Sequence, residues 1–422
     1  MELINQYGSL LVIITAVLGF MMAFGIGAND VSNAMGTSVG SGTITIKQAI
    51  LIAMVFEFAG AYLAGGEVAD TIKSGIINPA QFADKPDVLV LGMMSSLCAA
   101  GLWLIVATKM GWPVSATHTI IGAVIGFALI TVGSSSIQWD ELGGIVGSWF
   151  LTPVLAGVVA YLIFINSQKL IFNRSNPFKQ AKKYGPMYMG ITIFILVIVT
   201  VSKGLKHVGL HLNTTETLAV SLGFALIAVL IGYFYFRSKR FAMKARAEGK
   251  GFAGVEKIFS ILMLLTACAM AFAHGSNDVA NAIGPLAAVE AIIRSGGVIE
   301  GKTTLAAWIL PLGALGMVIG LAVMGKNVMA TVGTGITELT PSRGFAAQFA
   351  CAVTVVIASG TGLPISTTQT LVGAVLGVGF ARGIAALNLG VIRNIVISWV
   401  ITLPVGAMLS IVVYYILNTI FK

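Results

Sequence analysis

Asn29-Asp30-Val31-Ser32-Asn33-Ala34-Met35-Gly36 recurs as Asn277-Asp278-Val279-Ala280-Asn281-Ala282-Ile283-Gly284, 248 residues further along the chain. Gly111-Trp112-Pro113-Val114-Ser115-Ala116-Thr117-His118-Thr119 recurs as Gly362-Leu363-Pro364-Ile365-Ser366-Thr367-Thr368-Gln369-Thr370, at a spacing of 251, and Ser148-Trp149 recurs as Ser398-Trp399, at 250. Three markers in one order at nearly constant spacing predict a duplicated unit.

The sequence around these markers is apolar. Of 422 residues, 57% are hydrophobic and 10% charged, with a mean hydropathy of +0.94. A soluble domain carries about 25% charged residues, so soluble enzymes, nucleic-acid binders and disordered proteins are poor readings. Twelve apolar segments lie near 9–28, 46–66, 88–107, 114–133, 141–165, 187–201, 216–236, 256–275, 303–324, 344–361, 364–380 and 394–418. The first five and the last five carry the duplication. The expected fold is therefore an all-α polytopic membrane protein with about twelve apolar segments. It divides into an N-terminal repeat (1–165), basic linkers with two unduplicated spans (166–257) and a C-terminal repeat (258–422).

Charge sets the expected orientation. The linkers 166–187 and 237–257 hold 12 of the 25 Lys and Arg residues, and none precedes Lys47. The positive-inside rule puts both linkers in the cytoplasm. Five segments precede the first linker and five follow the second, so both termini are expected outside, extracellular or periplasmic. Corresponding segments are seven apart, an odd number, which gives the two halves opposite orientation. Re-entrant hairpins in place of full crossings leave that parity unchanged. Inverted repeats with broken helices at the midplane characterise secondary transporters working by alternating access. The net charge of +9 reads as topology rather than as a nucleic-acid footprint. Cys98, Cys268 and Cys351 lack metal or disulfide spacing. The start of the chain lacks the basic n-region of a signal peptide, so the first segment is expected to remain as a span.

Two motif pairs carry chemistry. On a helix Asn29, Asn33 and Asp30 fall at about 0°, 40° and 100°, one face, as do Asn277, Asn281 and Asp278. An acid in apolar sequence marks a functional site by default. Carboxylate and amide oxygens suit a hard cation such as Na⁺, and the Asn amide groups can donate to an oxyanion. The blander alternative is an interhelical polar clamp, which two matched copies disfavour. In the second pair, Pro113 and Pro364 sit where a new helix is expected to start. A helix N-terminus attracts anions, and Ser115, Thr117, Ser366, Thr367 and Thr368 add hydroxyls there. Capping alone is the competing reading. Glu57, alone in AMVFEFAGA, is expected at a cation or proton site, with Gln348 as its companion. His118 reads as a hydrogen-bonding residue, because its counterpart is Gln369, and His274 as a weaker proton site.

Neither motif pair contains Lys or Arg, while Asp30, Asp278 and Glu57 make the candidate site acidic. A bare anion is repelled there, and co-bound cations resolve the conflict, which argues for cation–anion symport. Protonated phosphate can donate to a carboxylate where sulfate cannot, so phosphate is favoured. GANDVSNA at 27–34, HGSNDVANAIGP at 274–285 and the paired P-[VI]-S-x-T loops resemble the inorganic phosphate transporter family over both repeats. The resemblance implies a sodium- or proton-coupled phosphate symporter. By motif match it carries a functional role onto Asp30, Asp278, Glu57 and the two Ser/Thr loops. With the residue chemistry above, phosphate is expected on Ser115, Thr117, Ser366, Thr367, Thr368, Asp30 and Asp278, and Na⁺ on Asn29, Asp30, Asn33, Glu57, Asn277, Asp278, Asn281 and Gln348. The chain departs from some sodium-coupled members at Gln348, which takes the place of an acid. Other members look proton-coupled and carry metal–phosphate, and that is the alternative coupling here. An ion channel is the alternative of another class. No enzyme motif is present, and no organic cofactor or transition metal is expected. The expected partners are inorganic phosphate, Na⁺ and the lipid bilayer of a plasma (inner) membrane, and a homodimer is compatible with the sequence.

Overall fold

The computed structural model describes residues 2–66, 68–69, 75–201, 212–247, 252–299 and 305–421. Fifteen α-helices lie among them: α1 (Glu2–Gly40), α2 (Ile46–Ala64), α3 (Pro86–Lys109), α4 (Ala116–Thr131), α5 (Trp139–Ser167), α6 (Pro177–Val199), α7 (Thr214–Arg237), α8 (Lys239–Ala247), α9 (Ala253–Asp278), α10 (Ala280–Arg294), α11 (Ile309–Met324), α12 (Lys326–Gly335), α13 (Pro341–Gly360), α14 (Thr367–Arg382) and α15 (Leu389–Phe421). Eight helical stretches are long and apolar enough to cross a bilayer. These match eight of the twelve apolar segments. The remaining segments are α6 and the 16-residue helices α4, α11 and α14. A 16-residue helix spans about 24 Å, short of a hydrocarbon core of about 30 Å.

Three boundaries differ from expectation. The first segment extends to Gly40, so Asn29-Asp30 lies inside a 39-residue helix rather than at its end. The eighth reaches Arg294 through α9 and α10, which form one 42-residue apolar stretch. The single residue between them, Val279, keeps helical angles of −56° and −32°. The sixth begins at Pro177, because Asn176 caps the helix and proline suits its first turn. Lys179, Lys182 and Lys183 therefore belong to a helix and not to a loop.

The breaks at 111–115 and 362–366 have a local cause. Gly111 and Gly362 adopt φ of +69° and +74°, a left-handed turn that glycine enters without strain. The amide of Trp112 donates to Ala107 O at 2.9 Å and that of Gly111 to Thr108 O at 3.1 Å. Leu363 and Gly362 repeat this on Ala358 and Ser359. Both long arms thus end in the 6→1 and 5→2 bonds of a Schellman cap, after which proline cannot resume the helix. The new helices start at Ala116 and Thr367, three residues beyond the prolines, where Ser115 and Ser366 act as N-caps. Each motif is a hairpin tip, α3–α4 in the first half and α13–α14 in the second.

Helices of the two halves exchange partners. α1 packs along α11 while α9 packs along α2, and α4 packs on α15 while α14 packs on α5. The unduplicated α6 and α7 pack against each other, and α6 also touches α9. The exchange brings the two hairpin tips face to face, between α1 and the α9–α10 rod.

Candidate functional site

The tips hold each other directly. Thr117 Oγ1 donates to Ile365 O at 2.9 Å. Thr368 Oγ1 lies 3.2 Å from Val114 O and 3.4 Å from Asp30 Oδ1, either of which can take its one proton. Thr367 Oγ1 donates to Asp278 Oδ2 at 2.7 Å. The amide of Asn33 donates to Thr368 Oγ1 at 2.8 Å, and that of Asn281 to Thr117 Oγ1 at 3.2 Å. Each half's asparagine therefore reaches the other half's tip. Their carbonyl oxygens, Asn33 Oδ1 and Asn281 Oδ1, are buried without a donor among the described residues. A buried acceptor with nothing to accept from suits a cation.

The first asparagine of each motif does something else. Asn29 donates to Thr108 Oγ1 at 3.1 Å and Trp112 O at 2.9 Å, and accepts from Val114 N at 3.2 Å. Asn277 donates to Ile365 O at 3.3 Å and to Asp278 Oδ1 at 2.6 Å, and accepts from Ser359 Oγ at 3.2 Å. Each pins the tip of its own half. The hydroxyls of Ser115 and Ser366 accept from the backbone amides of His118 and Gln369, at 3.2 and 3.3 Å, so they serve the helix starts.

The charged part of the site lies to one side. One ligand atom each from Asp30, His274 and Asp278 fall within 4.8 Å of one another. His274 Nε2 is 2.9 Å from Asp278 Oδ2, and Nδ1 is 3.2 Å from Glu57 Oε1. These are ion-pair distances without hydrogen-bond alignment, and both Glu57 oxygens lack an aligned donor. Asp30, Glu57, His274 and Asp278 are each 0–1% exposed. Like charges about 4 Å apart cost about 4 kcal/mol at an effective dielectric of 20, so Asp30 and Asp278, with Glu57 on the far side of His274, need positive charge among them. Asp30, His274 and Asp278 are the residues that could hold a metal ion.

The structure thus gathers Asp30, Asn33, Glu57, Thr117, Asp278, Asn281, Thr367 and Thr368 into one buried network. Gln348 stands apart from it. Its amide donates to Ala34 O at 2.5 Å and its oxygen accepts from Thr37 Oγ1, one turn further along α1. His118 packs on Trp149 with centroids 3.8 Å apart and the rings tilted by 36°. Sequence reasoning missed Thr108 and Ser359, which tie the tips to Asn29 and Asn277. Their separation of 251 residues, the spacing of the tip motif, was the available signal.

Comparison with known proteins identifies the family. The sequence profile of the phosphate transporter family matches residues 26–410. A Haemophilus influenzae protein named as a candidate phosphate permease is 69% identical over 100% of both chains. The Arabidopsis thaliana protein called inorganic phosphate transporter 2-1, chloroplastic, is 41% identical over 96% of this chain and 72% of its own. A solved structure described as the sodium-dependent phosphate transporter superposes with a TM-score of 0.89, at 41% identity over 97% of this chain and 99% of its own.

Proposed function

The chain belongs to the phosphate transporter family, and from that premise we propose that it imports inorganic phosphate by Na⁺-coupled symport with alternating access. It is a transporter and not an enzyme. The observation that carries the coupling is the pairing at the tips, where hydroxyl and amide donors lie beside Asp30, Asp278 and the donorless oxygens of Asn33 and Asn281. Thr117, Thr367 and Thr368, with the first turns of α4 and α14, hold the oxyanion between the tips. Na⁺ sits on the carboxylate and amide oxygens beside it, and Glu57 serves a neighbouring cation. Ser115, Ser366, Asn29 and Asn277 set the shape of the tips, and Gln348 with Thr37 offers a further oxygen-lined position for a cation. Neutralised by Na⁺, the acids no longer repel phosphate, so each ligand strengthens the other.

The exchange of partners between halves supports two inverted repeats, with hairpins α3–α4 and α13–α14 entering from opposite faces. In that arrangement the basic linkers are cytoplasmic and both termini lie outside. Near-complete burial of the site matches an occluded step of the cycle.

His274, seated between Glu57 and Asp278, favours a second reading. Imidazole is a better ligand for a proton or a transition metal than for Na⁺, which suits proton- or metal-coupled phosphate uptake. Radiolabelled phosphate uptake into proteoliposomes separates the two. Concentrative uptake that requires an inward Na⁺ gradient at fixed pH, with choline as the replacement ion, is the expected result. Uptake that persists in choline and follows an acid-outside gradient overturns Na⁺ coupling. Flux that never concentrates phosphate overturns symport and restores the channel.

A further inference from the structure

The polarity of the hydrogen bonds at the tips fixes how two asparagines are turned. Thr117 Oγ1 carries one proton and faces Ile365 O at 2.9 Å, a carbonyl that can only accept. The proton is spent there. The atom of Asn281 that meets the same hydroxyl at 3.2 Å must then be the donor, Nδ2, and the Asn281 carbonyl is turned the other way. Thr368 repeats the arrangement. Its proton has Val114 O at 3.2 Å and Asp30 Oδ1 at 3.4 Å to go to, and Asn33 Nδ2 donates to its oxygen at 2.8 Å. Asp30 Oδ1, 3.3 Å from the same nitrogen, requires the same orientation.

Both asparagines are buried, Asn33 at 0% and Asn281 at 1% exposure, and their Oδ1 atoms have no donor among the described residues. Each side chain therefore has one end committed and one end unpaired. The committed end crosses between the halves. Asn33 on α1 holds the tip of α13–α14, and Asn281 on α10 holds the tip of α3–α4. Asn29 and Asn277 are not built this way, since both of their ends are engaged.

The resonance that keeps an amide planar joins its oxygen to its nitrogen, so a cation on Oδ1 makes Nδ2–H a stronger donor. A hydroxyl that accepts a stronger hydrogen bond is in turn a stronger donor. The effect of the cation is thus delivered at the threonine proton. A phosphate oxygen between the tips competes for the two protons with Ile365 O and Val114 O, which correspond at the spacing of 251.

We propose that Asn33 and Asn281 are the positioning residues that couple cation to phosphate. Each takes the cation on Oδ1, and its Nδ2 aims the proton of the other half's threonine, Thr368 or Thr117, at the anion. The proposal rests on the symport reading above and names the side chains through which part of that coupling runs, beside the neutralisation of the acids.

The test is a set of double-mutant cycles, read by binding of radiolabelled inorganic phosphate to the full chain in nanodiscs. The quantity is the ratio of Kd in choline to Kd in Na⁺. Asn33→Leu, Asn281→Leu, Thr117→Val and Thr368→Val should each lower the ratio about threefold or more, the size of one hydrogen bond. Asn33→Ala and Asn281→Ala stand in where a leucine does not fold. Thr117→Ser and Thr368→Ser keep the hydroxyl and should keep the ratio. In the crossed pairs, Asn33 with Thr368 and Asn281 with Thr117, the double variant should lose no more than the larger single loss. In the uncrossed pairs, Asn33 with Thr117 and Asn281 with Thr368, the losses should multiply. Losses that multiply in the crossed pairs overturn the proposal, as do serine variants that fall to the level of valine. Equal wild-type affinity in Na⁺ and choline overturns the symport reading and this one with it. A wild-type ratio that stands while the crossed pairs multiply overturns this one alone.

Discussion

Two seams between the halves share one backbone arrangement and differ in chemistry. On the first, α1 crosses α11 at Gly27, where an added Cβ would lie 1.9 Å from Met317 O, and Gly320 meets Phe24 O at the same 1.9 Å. On the second, α9 crosses α2 at Gly275, where a Cβ would lie 2.2 Å from Glu57 O, and Gly60 meets Phe272 O at 2.0 Å. Gly27 and Gly275 correspond at the spacing of 248, as do Phe24 and Phe272. Glu57 therefore occupies the place that Met317 holds on the first seam, and His274 the place of Ile26. One seam is a buried ionic contact and the other is hydrocarbon. The glycine crossings and the acids Asp30 and Asp278 are duplicated, and the Glu57–His274 contact is not.

The largest expected effect strikes the charge. Asp278→Asn removes an acid that faces His274, Thr367 and Asn277 at once. Losing the charge that meets a bound cation costs up to about 3 kcal/mol for a charge-assisted contact, on the order of a hundredfold in uptake. The variant should still be monodisperse on size-exclusion chromatography. Wild-type uptake from this protein would remove Asp278 from the coupling site.

Next comes the shared scaffold. Gly27→Ala and Gly275→Ala each force a methyl into a backbone carbonyl, and overpacking costs about 1–3 kcal/mol. Both should lower the thermal-unfolding midpoint by similar amounts, because the crossings match. A drop at Gly275 alone would show that the two seams are not built alike. The third test separates the chemistry. Glu57→Gln should reduce uptake about tenfold through loss of a charge-assisted contact. Met317→Leu conserves volume in an apolar seat and should cost less than about 1.5 kcal/mol of stability, with uptake unchanged. Comparable losses in both would place the Glu57 effect in packing rather than in ion binding.

Much of this was legible in the chain, and the reason is local. Long apolar runs become helices, and Gly111-Trp112-Pro113 and Gly362-Leu363-Pro364 interrupt them because each supplies a left-handed residue and then a proline. The repeat, the hydroxyl tips and the NDxxNA face need only neighbours within a turn or two. The pairing of Asn33 with Thr368 spans 335 residues, and that of His274 with Glu57 joins different halves. No periodicity reports such a contact. Asn29 and Asn277 show a different limit. Their residue type fits a cation, yet their amides are engaged in holding the tips, and only three-dimensional geometry distinguishes the two uses.

The smallest expected effect concerns Ser115 and Ser366. A hydroxyl at a hairpin tip can bind the substrate or cap the helix that follows. Here the two oxygens accept from His118 N and Gln369 N, and Ser→Ala at an N-cap costs about 1 kcal/mol. Ser115→Ala and Ser366→Ala should therefore lower the unfolding midpoint slightly and in equal measure, since the caps match in geometry. Phosphate uptake should keep its KM. A KM that rises severalfold at unchanged stability would turn the serines into phosphate ligands and make capping a secondary role. A rise at one serine alone would carry the asymmetry of the α2–α9 seam into the tips, and phosphate would then be held by one hairpin more than the other. Equal, small losses of stability would confine that asymmetry to Glu57 and His274, leaving the tips as the symmetric part of the machine.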